Sequence, residues 1–482
     1  MTANGRDGRQ PVRVHHANGD VTPYEAPHSA AEPKAASAPP PAEADGGGRT
    51  FETAGGGPAA AAVVAVAASA APAFVRRGVP VGFMVFCGAI VALVSMGIRN
   101  TLPLWQSPML EDLGWTSLQF SIALATQNLL WGVFSPVFGG LADRYGSEKV
   151  LVAGAILQAG GLWLMSKATD PALFFVSAGV LIGVAQSAAG MGIVLGAVGR
   201  MLPERQRTMA FGLITSASSA GMIVLSPIGR ALLEMTSWSE AFVWLAVFSL
   251  PVVVLAFFVR SNQSDGAGQS TAQIAQLTIR EALGEAARHR GYVLLVIGFF
   301  VCGFHVTFIG VHFPKYLNDI GLGWQLGATS LMIIGIFNVA SCLGVGVLVA
   351  AVSKRKVLSL IYIGRSVAIL GFIMAPVSEW SVYIFSAAMG VLWLSTVPPT
   401  QGIVAQVFGT QYMTMLFGFV FLSHQIGSFL GVTLGAQAYD MFGDYRPVWL
   451  MSIALGILAA ICHIFIDEKP LARLRPAAQP AE

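Results

Sequence analysis

Charged side chains are scarce in this sequence. Asp, Glu, Lys and Arg make up only 11% of the 482 residues, whereas about 25% is usual in a soluble globular protein. Hydrophobic residues account for 55% of the chain. This composition excludes a disordered chain and a soluble enzyme, and it fits a polytopic α-helical membrane protein.

A concentrated patch of one charge sign is also missing. The net charge is only +3, and the basic residues are scattered along the chain. A nucleic-acid binder needs a patch that follows the phosphates, so we expect no nucleic-acid partner. The sequence offers neither a His-x-x-x-His pair with acidic partners nor a nucleophile–base pair. We therefore expect no metal, no cofactor and no enzymatic activity.

Cysteine is rare, with four residues at Cys87, Cys302, Cys342 and Cys462. Each lies inside an apolar run, and no two are close in sequence. This spacing does not fit a disulfide framework or a metal site. We therefore predict four small, buried hydrophobic side chains.

Long apolar runs are missing from the first 57 residues, which are rich in Pro, Ala, Gly and charge. The Ala-dominated stretch that follows is only weakly hydrophobic. Such a segment cannot bury enough apolar surface to fold, so residues 1–77 are predicted to form a disordered cytoplasmic tail. Residues 468–482 are predicted to form a second, short cytoplasmic tail.

Between these tails, apolar runs follow one another, each long enough to cross a hydrocarbon core of roughly 30 Å as a helix. Twelve transmembrane helices are predicted, at 79–100, 117–141, 149–167, 171–199, 208–233, 240–259, 291–314, 325–351, 357–376, 381–406, 413–438 and 447–466. A polar stretch, 261–290, is predicted to be a cytoplasmic linker between residues 78–260 and 291–467. Two halves of six helices each are typical of an internal repeat.

Lysine and arginine favour one side of this predicted bundle. They concentrate in the loops at 144–149, 200–207 and 354–356 and are sparse in the loops on the other side. Cytoplasmic loops carry the excess of positive charge in membrane proteins. Both termini are therefore predicted to be cytoplasmic.

The most specific motif is a short charged turn between predicted helices 2 and 3. It reads GGLADRYGSEK in residues 139–149. Its glycines permit close approach of the backbone, and Asp143 can lie against a helix N-terminus or an arginine. The turn resembles the G-x-L-a-D-R-x-G-R-K/R loop signature of the major facilitator superfamily, whose arrangement of six plus six helices also fits residues 79–466. The resemblance implies a transporter gate, to which we assign Gly139, Asp143, Arg144 and Gly146.

The motif departs from the family pattern at Ser147 and Glu148, where basic residues are usual. The matching stretch of the second half keeps a glycine, a leucine and a cationic end. It has Ala350 and Ala351 in place of the Asp-Arg pair. We therefore predict a charged latch on one half only.

Other stretches resemble monocarboxylate transporters and oxalate/formate-antiporter-like proteins. Residues 205–212 resemble the entry to helix 5 in that branch, and residues 302–322 and 408–431 look like its bacterial members. The resemblance implies an Asp and an Arg on helix 8 of the animal proteins, where this chain has Asn338 and Cys342. A carboxylate-binding arginine on helix 8 is therefore not carried over.

No Asp or Glu lies deep within any predicted helix, which bears on the nature of the cargo. A site for lipophilic cations would need a buried carboxylate, whereas the buried ionisable groups here are cationic or become so on protonation. Arg365, near the middle of predicted helix 9, could hold a substrate carboxylate or bond helix carbonyls. Arg99, at the end of predicted helix 1, could attract anions at the outer mouth or be an interfacial arginine.

Two histidines and several amides complete the candidate substrate site. His305 and His424 could bind or relay a coupled proton, or each could be a neutral histidine bonded to a neighbouring helix. The amides could donate to carboxylate oxygens or join the helices to one another. The amide residues assigned to the site are Gln127, Asn128, Asn338 and Gln425.

Two interruptions inside the helices bear on flexibility. Pro398 and Pro399 break the hydrogen-bond ladder of predicted helix 10, which could form a gating bend or only a kink. The small-residue run 187–192 of predicted helix 4 is interpreted as a packing surface.

These observations favour a secondary transporter in which two halves rock about one midplane site. We expect a small organic anion such as a monocarboxylate, moved with a proton or exchanged for another anion across the bacterial inner membrane. An exporter of hydrophobic drugs or metabolites is the nearest alternative in mechanism. A non-transporting membrane receptor on the same fold is the alternative from a different class.

Overall fold

The computed structural model of the chain describes residues 75–76, 79–260, 277–376 and 378–474. Nearly all of the predicted tail 1–77 lies outside the described residues, as do 261–276 of the predicted linker and 475–482 of the second predicted tail. The described part begins with two short antiparallel strands. They are Val75–Arg76 and Val79–Pro80, with Val75 paired to Pro80 and Arg76 to Val79.

Twelve helices in the described residues are long and apolar enough to cross a membrane. We call them span 1 to span 12 in chain order. Their bounds are Val81–Leu113, Ser117–Tyr145, Ser147–Met165, Pro171–Met201, Glu204–Met235, Trp238–Ala256, Arg290–Asp319, Gly323–Ala351, Lys354–Met374, Glu379–Phe408, Met413–Phe442 and Arg446–Ile464. The predicted all-α fold with twelve membrane helices is confirmed.

Span 1 is longer than predicted. A helix over Val81–Thr101 continues as a 3₁₀ turn, Leu102–Trp105, and as a second helix, Gln106–Leu113. Gly114 ends it in the left-handed conformation, with φ 66°, which a glycine adopts without a steric penalty.

The most extensive contacts between the first half, spans 1–6, and the second half, spans 7–12, are made by two pairs of spans. Span 2 packs against span 11, and span 5 packs against span 8. Small residues allow this close approach. A Cβ on Gly212 of span 5 would lie 2.8 Å from the Cα of Gly346 on span 8. In a six-plus-six repeat, spans 8 and 11 hold the places of spans 2 and 5, so the two contacts are related.

The fourth span of each half is broken in the middle. Span 4 contains a π-helical segment, Phe175–Leu181, and is interrupted at Gly190, whose ψ is 168°. Span 10 runs as a helix over Glu379–Leu392, is non-helical at 393–396, and resumes at Val397–Phe408. Broken helices at corresponding places of two repeats are typical of a transporter's binding region.

These breaks bear on two predictions. Pro398 and Pro399 occupy the first turn of the resumed helix Val397–Phe408, so the predicted interruption of helix 10 lies just before them. The run 187–192, interpreted as a packing surface, also contains a helix break, because Gly190 ends one helix there and starts another. π-helical and broken segments are frequent at functional sites.

A short amphipathic helix, Ile279–Arg288, lies within the predicted linker 261–290. Thr278 caps its N-terminus by accepting a hydrogen bond from the backbone N–H of Glu281, and the Glu281 carboxylate accepts one from Thr278 N–H at 2.7 Å. That second bond lowers the pKa of Glu281. Ala282 and Ala286 are buried, so this helix packs against the bundle.

We refer to the two ends of the bundle by residues that lie there. The Asp143 end holds the loop between spans 2 and 3, and the Trp105 end holds the extension of span 1 and the N-terminus of span 6. Trp105 packs on Phe242, with ring centroids 4.9 Å apart, and donates to the backbone oxygen of Trp238.

Candidate substrate site and gate

The candidate substrate site begins at Arg99, in the last turn of the helix Val81–Thr101. Its guanidinium donates hydrogen bonds to the side-chain oxygens of Asn100 and Asn128. It also lies over the indole of Trp131, with Cζ 4.7 Å from the ring centroid. These partners are all neutral, so the guanidinium keeps a net positive charge beside an aromatic face.

Span 11 brings the second half to the same place. Gln425 Nε2 donates to the backbone oxygen of Asn128, 2.8 Å away. His424 Nδ1 donates to Gln425 Oε1 at 3.0 Å, and the His424 ring stacks on Phe421. Phe421 packs against Trp131, with centroids 4.6 Å apart. The predicted site residues that meet at this boundary are Arg99, Asn128, His424 and Gln425.

This cluster lies at mid-depth in the bundle. His424 is about 17 Å along the axis of span 11 from its start at Met413. A hydrocarbon core is roughly 30 Å thick, so this depth is close to its middle. Both halves therefore contribute polar groups at the level that alternating access requires.

A small cavity of about 30 Å³ lies between the cluster and the Asp143 end. Trp131, Phe417 and Phe421 line it, together with Ser187 and Met191 on either side of the break in span 4. This volume holds about two water molecules. The cavity is therefore too small for an organic molecule in this conformation.

A buried ion pair closes the Asp143 end. Asp143 forms a salt bridge with Arg200 at the end of span 4, and the two side chains are 0% and 6% exposed. Arg200 also donates to Thr414 Oγ1 at 2.9 Å and to Ser147 Oγ at 2.6 Å. Asp143 accepts from the backbone N–H of Met415 at 2.8 Å. Asp143 thus lies against both an arginine and a helix N-terminus, the two partners that the turn motif allowed.

The glycines assigned to the gate have distinct structural reasons. A Cβ on Gly139 would lie 2.7 Å from the backbone oxygen of Thr414, so span 2 can touch the start of span 11 only with glycine there. Gly146 has φ +99° in the turn between spans 2 and 3, a conformation that side chains other than glycine rarely adopt.

Arg144, assigned to the gate from the motif, does not take part in this closure. It is exposed and lies over the ring of Tyr145, 5.3 Å from the centroid. The arginine that pairs with Asp143 is Arg200, which is distant in sequence and reaches the turn from span 4. The motif could not show this, because the pair forms only when spans 2 and 4 pack.

The second half has its own charged contact, so the prediction of a one-sided latch is wrong. Lys354, at the start of span 9, is buried and donates to Gln406 Oε1 at 2.6 Å. It also pairs with Glu204, at the start of span 5, at 3.5 Å. Lys354 therefore contacts the N-terminal turn of span 5 in the other half. Asp143 makes the corresponding contact with the N-terminal turn of span 11.

Arg365 lies inside the second half and does not line the cavity beside span 4. Its Nε and Nη2 donate to the backbone oxygen of Leu392, at 3.0 and 2.7 Å, and Nη2 also donates to that of Trp393. These are carbonyls that the break in span 10 leaves without helix partners. The helix-carbonyl interpretation of Arg365 fits this geometry, and Arg365 is separate from the Arg99 cluster.

Two of the remaining predicted site residues, His305 and Asn338, are bonded to other spans. His305 Nε2 meets the backbone oxygen of Ser452 at 2.8 Å, between spans 7 and 12. Asn338 Nδ2 donates to Ser219 Oγ at 2.8 Å and so joins span 8 to span 5. Gln127 is buried, and its Nε2 has no hydrogen-bond partner among the described residues. These positions match the helix-joining alternative for His305 and Asn338.

Several residues of the site were missed by sequence reasoning. Trp131 and Phe421 read as apolar residues of ordinary helices, and Arg200 as a loop cation. One signal for Trp131 was available. Trp131 follows Asn128 by three residues, so the two side chains lie on the same face of one helix. Pairing across spans has no signal in a single sequence.

The profile of the Major Facilitator Superfamily matches residues 84–432 and, in a second overlapping match, 345–481. The chain belongs to the Major Facilitator Superfamily. It is accordingly a multi-pass membrane protein, and several of its relatives bear the names of transporters.

Relatives of this superfamily member include transporters of several kinds. YcxA, an uncharacterised transporter of Bacillus subtilis (strain 168), is 22% identical over 395 residues, 80% of this chain and 96% of YcxA. Monocarboxylate transporter 13 of Rattus norvegicus is 24% identical over 72% of this chain and 79% of its own. The oxalate:formate antiporter of Oxalobacter formigenes is 20% identical over 80% and 90%. Multidrug resistance protein MdtH of Enterobacter sp. (strain 638) is 24% identical over 76% and 81%.

Among solved structures, the fucose:proton symporter FucP of E. coli is similar in fold. Its outward conformation gives a TM-score of 0.59 at 14% identity, over 80% of this chain and 98% of FucP. This member of the superfamily thus shares its fold with FucP. The closure at the Asp143 end is an observation on this chain alone.

Proposed function

We propose that this protein is a secondary transporter of a small organic anion such as a monocarboxylate. The observation that carries the proposal is Arg99, a guanidinium at the boundary of the halves whose hydrogen-bond and ring partners are all neutral. Guanidinium binds carboxylate through two parallel hydrogen bonds. The names of the monocarboxylate transporter and the oxalate:formate antiporter among its relatives support the same class of cargo.

The other groups of the cluster suit a carboxylate that arrives at Arg99. Asn128 already occupies the guanidinium and would release it to the anion, while Trp131 shields one face from water. Gln425 and His424 approach from span 11, so a bound anion would contact both halves. Contacts from both halves to one ligand let its binding bias the rocking motion.

The Asp143 end is proposed to face the cytoplasm of a bacterial cell, with the protein in the inner membrane and both termini cytoplasmic. The loops at this end carry more lysine and arginine than the loops at the other end of the bundle. The closed arrangement would then be outward-facing, and opening would require Asp143 and Lys354 to release their partners on spans 11 and 5.

Uptake into proteoliposomes tests the proposal. We expect purified protein to take up radiolabelled lactate, formate or oxalate, driven by a pH gradient or by the same anion inside. Arg99→Gln should abolish uptake, and Arg99→Lys should restore part of it, because a lysine keeps the charge but not the planar fork. The matched control is Arg230→Gln, since the Arg230 side chain is 77% exposed. Equal uptake by Arg99→Gln and the parent would remove the assigned site.

Drug export is the competing transport activity, supported by the resemblance to MdtH. Its signature would be a lower inhibitory concentration of uncharged toxic compounds for cells that lack the protein, together with no carboxylate flux in proteoliposomes. The neutral or cationic character of the Arg99 cluster favours the anion. An aromatic pair such as Trp131 and Phe421 is compatible with either cargo.

A further inference from the structure

The middle of the bundle has a buried positive charge and no carboxylate. Every Asp and Glu in the spans that the structure describes lies in the first or last turn of its helix. Arg365, in contrast, is fully buried and about 17 Å along span 9 from Lys354. A buried charge without a counter-charge is expensive, so an ionisable acid near Arg365 is expected on physical grounds.

The group that lies there is the thiol of Cys302 on span 7. Arg365 Nη2 is 3.5 Å from Cys302 Sγ, and Arg365 Nη1 has no hydrogen-bond partner among the described residues. Thr396 Oγ1 is 3.2 Å from the same sulfur. The ring of His424 approaches it from span 11. A fully buried sulfur with a cation and two polar groups around it is an environment that stabilises a thiolate.

The contact with Gln425 sets the tautomer of His424, the other polar neighbour of this thiol. His424 Nδ1 must carry hydrogen in order to donate to Gln425 Oε1 at 3.0 Å, because an amide oxygen only accepts. In the neutral ring, Nε2 is therefore left with a lone pair. Cys302 and His424 can thus exchange a proton without any change in the Gln425 contact.

We propose that Cys302 is the proton-binding group of this transporter, alternating between a thiol that faces His424 and a thiolate that pairs with Arg365. The inference rests on the proposed function in one respect, the coupling of that proton to anion transport. The ligand of the site is a proton, so no further cavity is needed to hold it.

The proton transfer balances without any other reactant. A proton that reaches His424 from the substrate side gives an imidazolium. Its Nε2–H bond breaks as the S–H bond of Cys302 forms, which turns the thiolate into a thiol and the imidazolium into neutral imidazole. Because Gln425 joins His424 to Asn128, an anion at Arg99 and a proton at Cys302 can favour each other.

The sulfur is linked to both ends of the break in span 10, directly through Thr396 and indirectly through Arg365. Arg365 binds the carbonyls of Leu392 and Trp393 where the break begins, and Thr396, where the break ends, bonds Cys302. Protonation of the thiol removes the anion that faces Arg365 and Thr396. The break in span 10 can therefore move with the state of the proton.

Other titratable groups surround the thiol from each packed span. His305 is on the same span, Tyr362 approaches the sulfur from span 9, and His463 of span 12 stacks on Tyr362 with centroids 4.9 Å apart. His305 and His463 each bond a backbone oxygen, at 2.8 and 2.7 Å. Tyr362 lies under the Arg365 guanidinium, 5.2 Å from Cζ to the ring centroid. Among these groups in the described residues, Cys302 is the acid that accepts a hydrogen bond from Arg365, and His424 is its other charged neighbour on protonation.

Transport measurements with Cys302→Ser and Cys302→Asp test the coupling. In Cys302→Ser, accumulation of lactate or formate driven by a pH gradient should fall by about tenfold or more, because a hydroxyl does not ionise here. Exchange of labelled for unlabelled anion, without a gradient, should stay near the parent rate. Cys302→Asp should restore gradient-driven accumulation with its pH profile displaced towards acid. Cys342→Ser is the matched control and should behave as the parent. Gradient-driven accumulation by Cys302→Ser at the parental level would overturn the proposal.

A spectroscopic measurement tests the thiol without any need for transport. The infrared S–H stretching band of Cys302, isolated as the difference between parent and Cys302→Ala, should disappear as pH rises. In Arg365→Gln it should persist to higher pH, since the stabilising cation is gone. The Cys342 band, isolated in the same way, should remain, because that thiol donates to Asn338 Oδ1 at 3.3 Å. A Cys302 band unchanged over the whole pH range would refute the site. Parent protein that moves no carboxylate would instead refute the proposed function alone.

Discussion

The carboxylate of Asp143 accepts a hydrogen bond from the backbone N–H of Met415, 2.8 Å away, and so fastens the turn after span 2 to the first turn of span 11. The first N–H groups of a helix have no partner within the helix and carry partial positive charge. A carboxylate from the other half supplies what they lack. The contact that closes the two halves at this end therefore also caps the N-terminus of span 11.

Loss of the Asp143 charge should open this end. Asp143→Asn leaves Arg200 buried without its carboxylate, and breaking a buried pair in this way costs about 3–5 kcal/mol. We expect faster labelling by maleimide of a cysteine introduced at Phe417, which lines the closed cavity. Arg144→Gln is the control and should label like the parent, because Arg144 is exposed. Equal labelling in both variants would contradict the assignment of Arg200 as the latch arginine.

A methyl group at Gly139 should have a similar effect by a steric route. In Gly139→Ala the new Cβ would lie 2.7 Å from the Thr414 backbone oxygen, and such overpacking costs about 1–3 kcal/mol. The control is Gly160→Ala, where a Cβ meets nothing within 4 Å. Thermal unfolding in detergent should show a lower Tm for Gly139→Ala and an unchanged or higher Tm for Gly160→Ala. The reverse order of the two Tm values would show that the packing of span 2 on span 11 does not depend on this contact.

The contact of Lys354 predicts unequal effects for its two partners. The Glu204 side chain is 59% exposed and 3.5 Å from the ammonium, so Glu204→Gln should change stability by about 1 kcal/mol at most. Lys354→Met leaves Gln406 Oε1 without its donor, which costs about 1–3 kcal/mol. The Tm values of the two variants give the comparison. A larger loss in Glu204→Gln would mean that the exposed ion pair, and not the buried amide contact, holds spans 5 and 9.

The indole of Trp131 should matter for anion affinity because it holds Arg99 in place. Trp131→Ala removes a cation–π contact worth about 1 kcal/mol, so the apparent KM for lactate should rise several-fold, and Trp131→Phe should fall between the two. Trp163→Ala is the matched control, since Trp163 on span 3 is 54% exposed. An equal KM in Trp131→Ala and Trp163→Ala would place the anion elsewhere.

Helix number and type could be predicted because they depend on local composition. Each apolar run of sufficient length must satisfy its own backbone hydrogen bonds in lipid, and a helix does so within the segment. The break in span 10 could be anticipated from Pro398 and Pro399, since a proline lacks the N–H of a continuing ladder. The break at Gly190 could not, because a glycine in a small-residue run is equally compatible with close packing.

For the candidate site, too, the sequence indicated which residues matter but not the role of each. Arg99, Asn128, His424 and Gln425 stood out as polar groups in apolar surroundings, and they meet across the two halves. Arg365 stood out for the same reason, yet it caps the first part of span 10. Polarity in a single sequence shows that a group needs a partner, but it does not show whether the partner is a ligand or a backbone carbonyl.

The amino-acid sequence by itself determined that the chain crosses the membrane as many helices, that the turn at 139–149 is special, and that the core of the membrane region lacks carboxylates. Only the tertiary structure decided that Arg200 pairs with Asp143, that Lys354 reaches Glu204, and that Cys302 lies between Arg365 and His424. The reason is that span formation follows from hydrophobicity read along the chain, whereas each of these contacts depends on the rotation and depth of spans that are distant in sequence. Those variables are set by packing of the whole bundle.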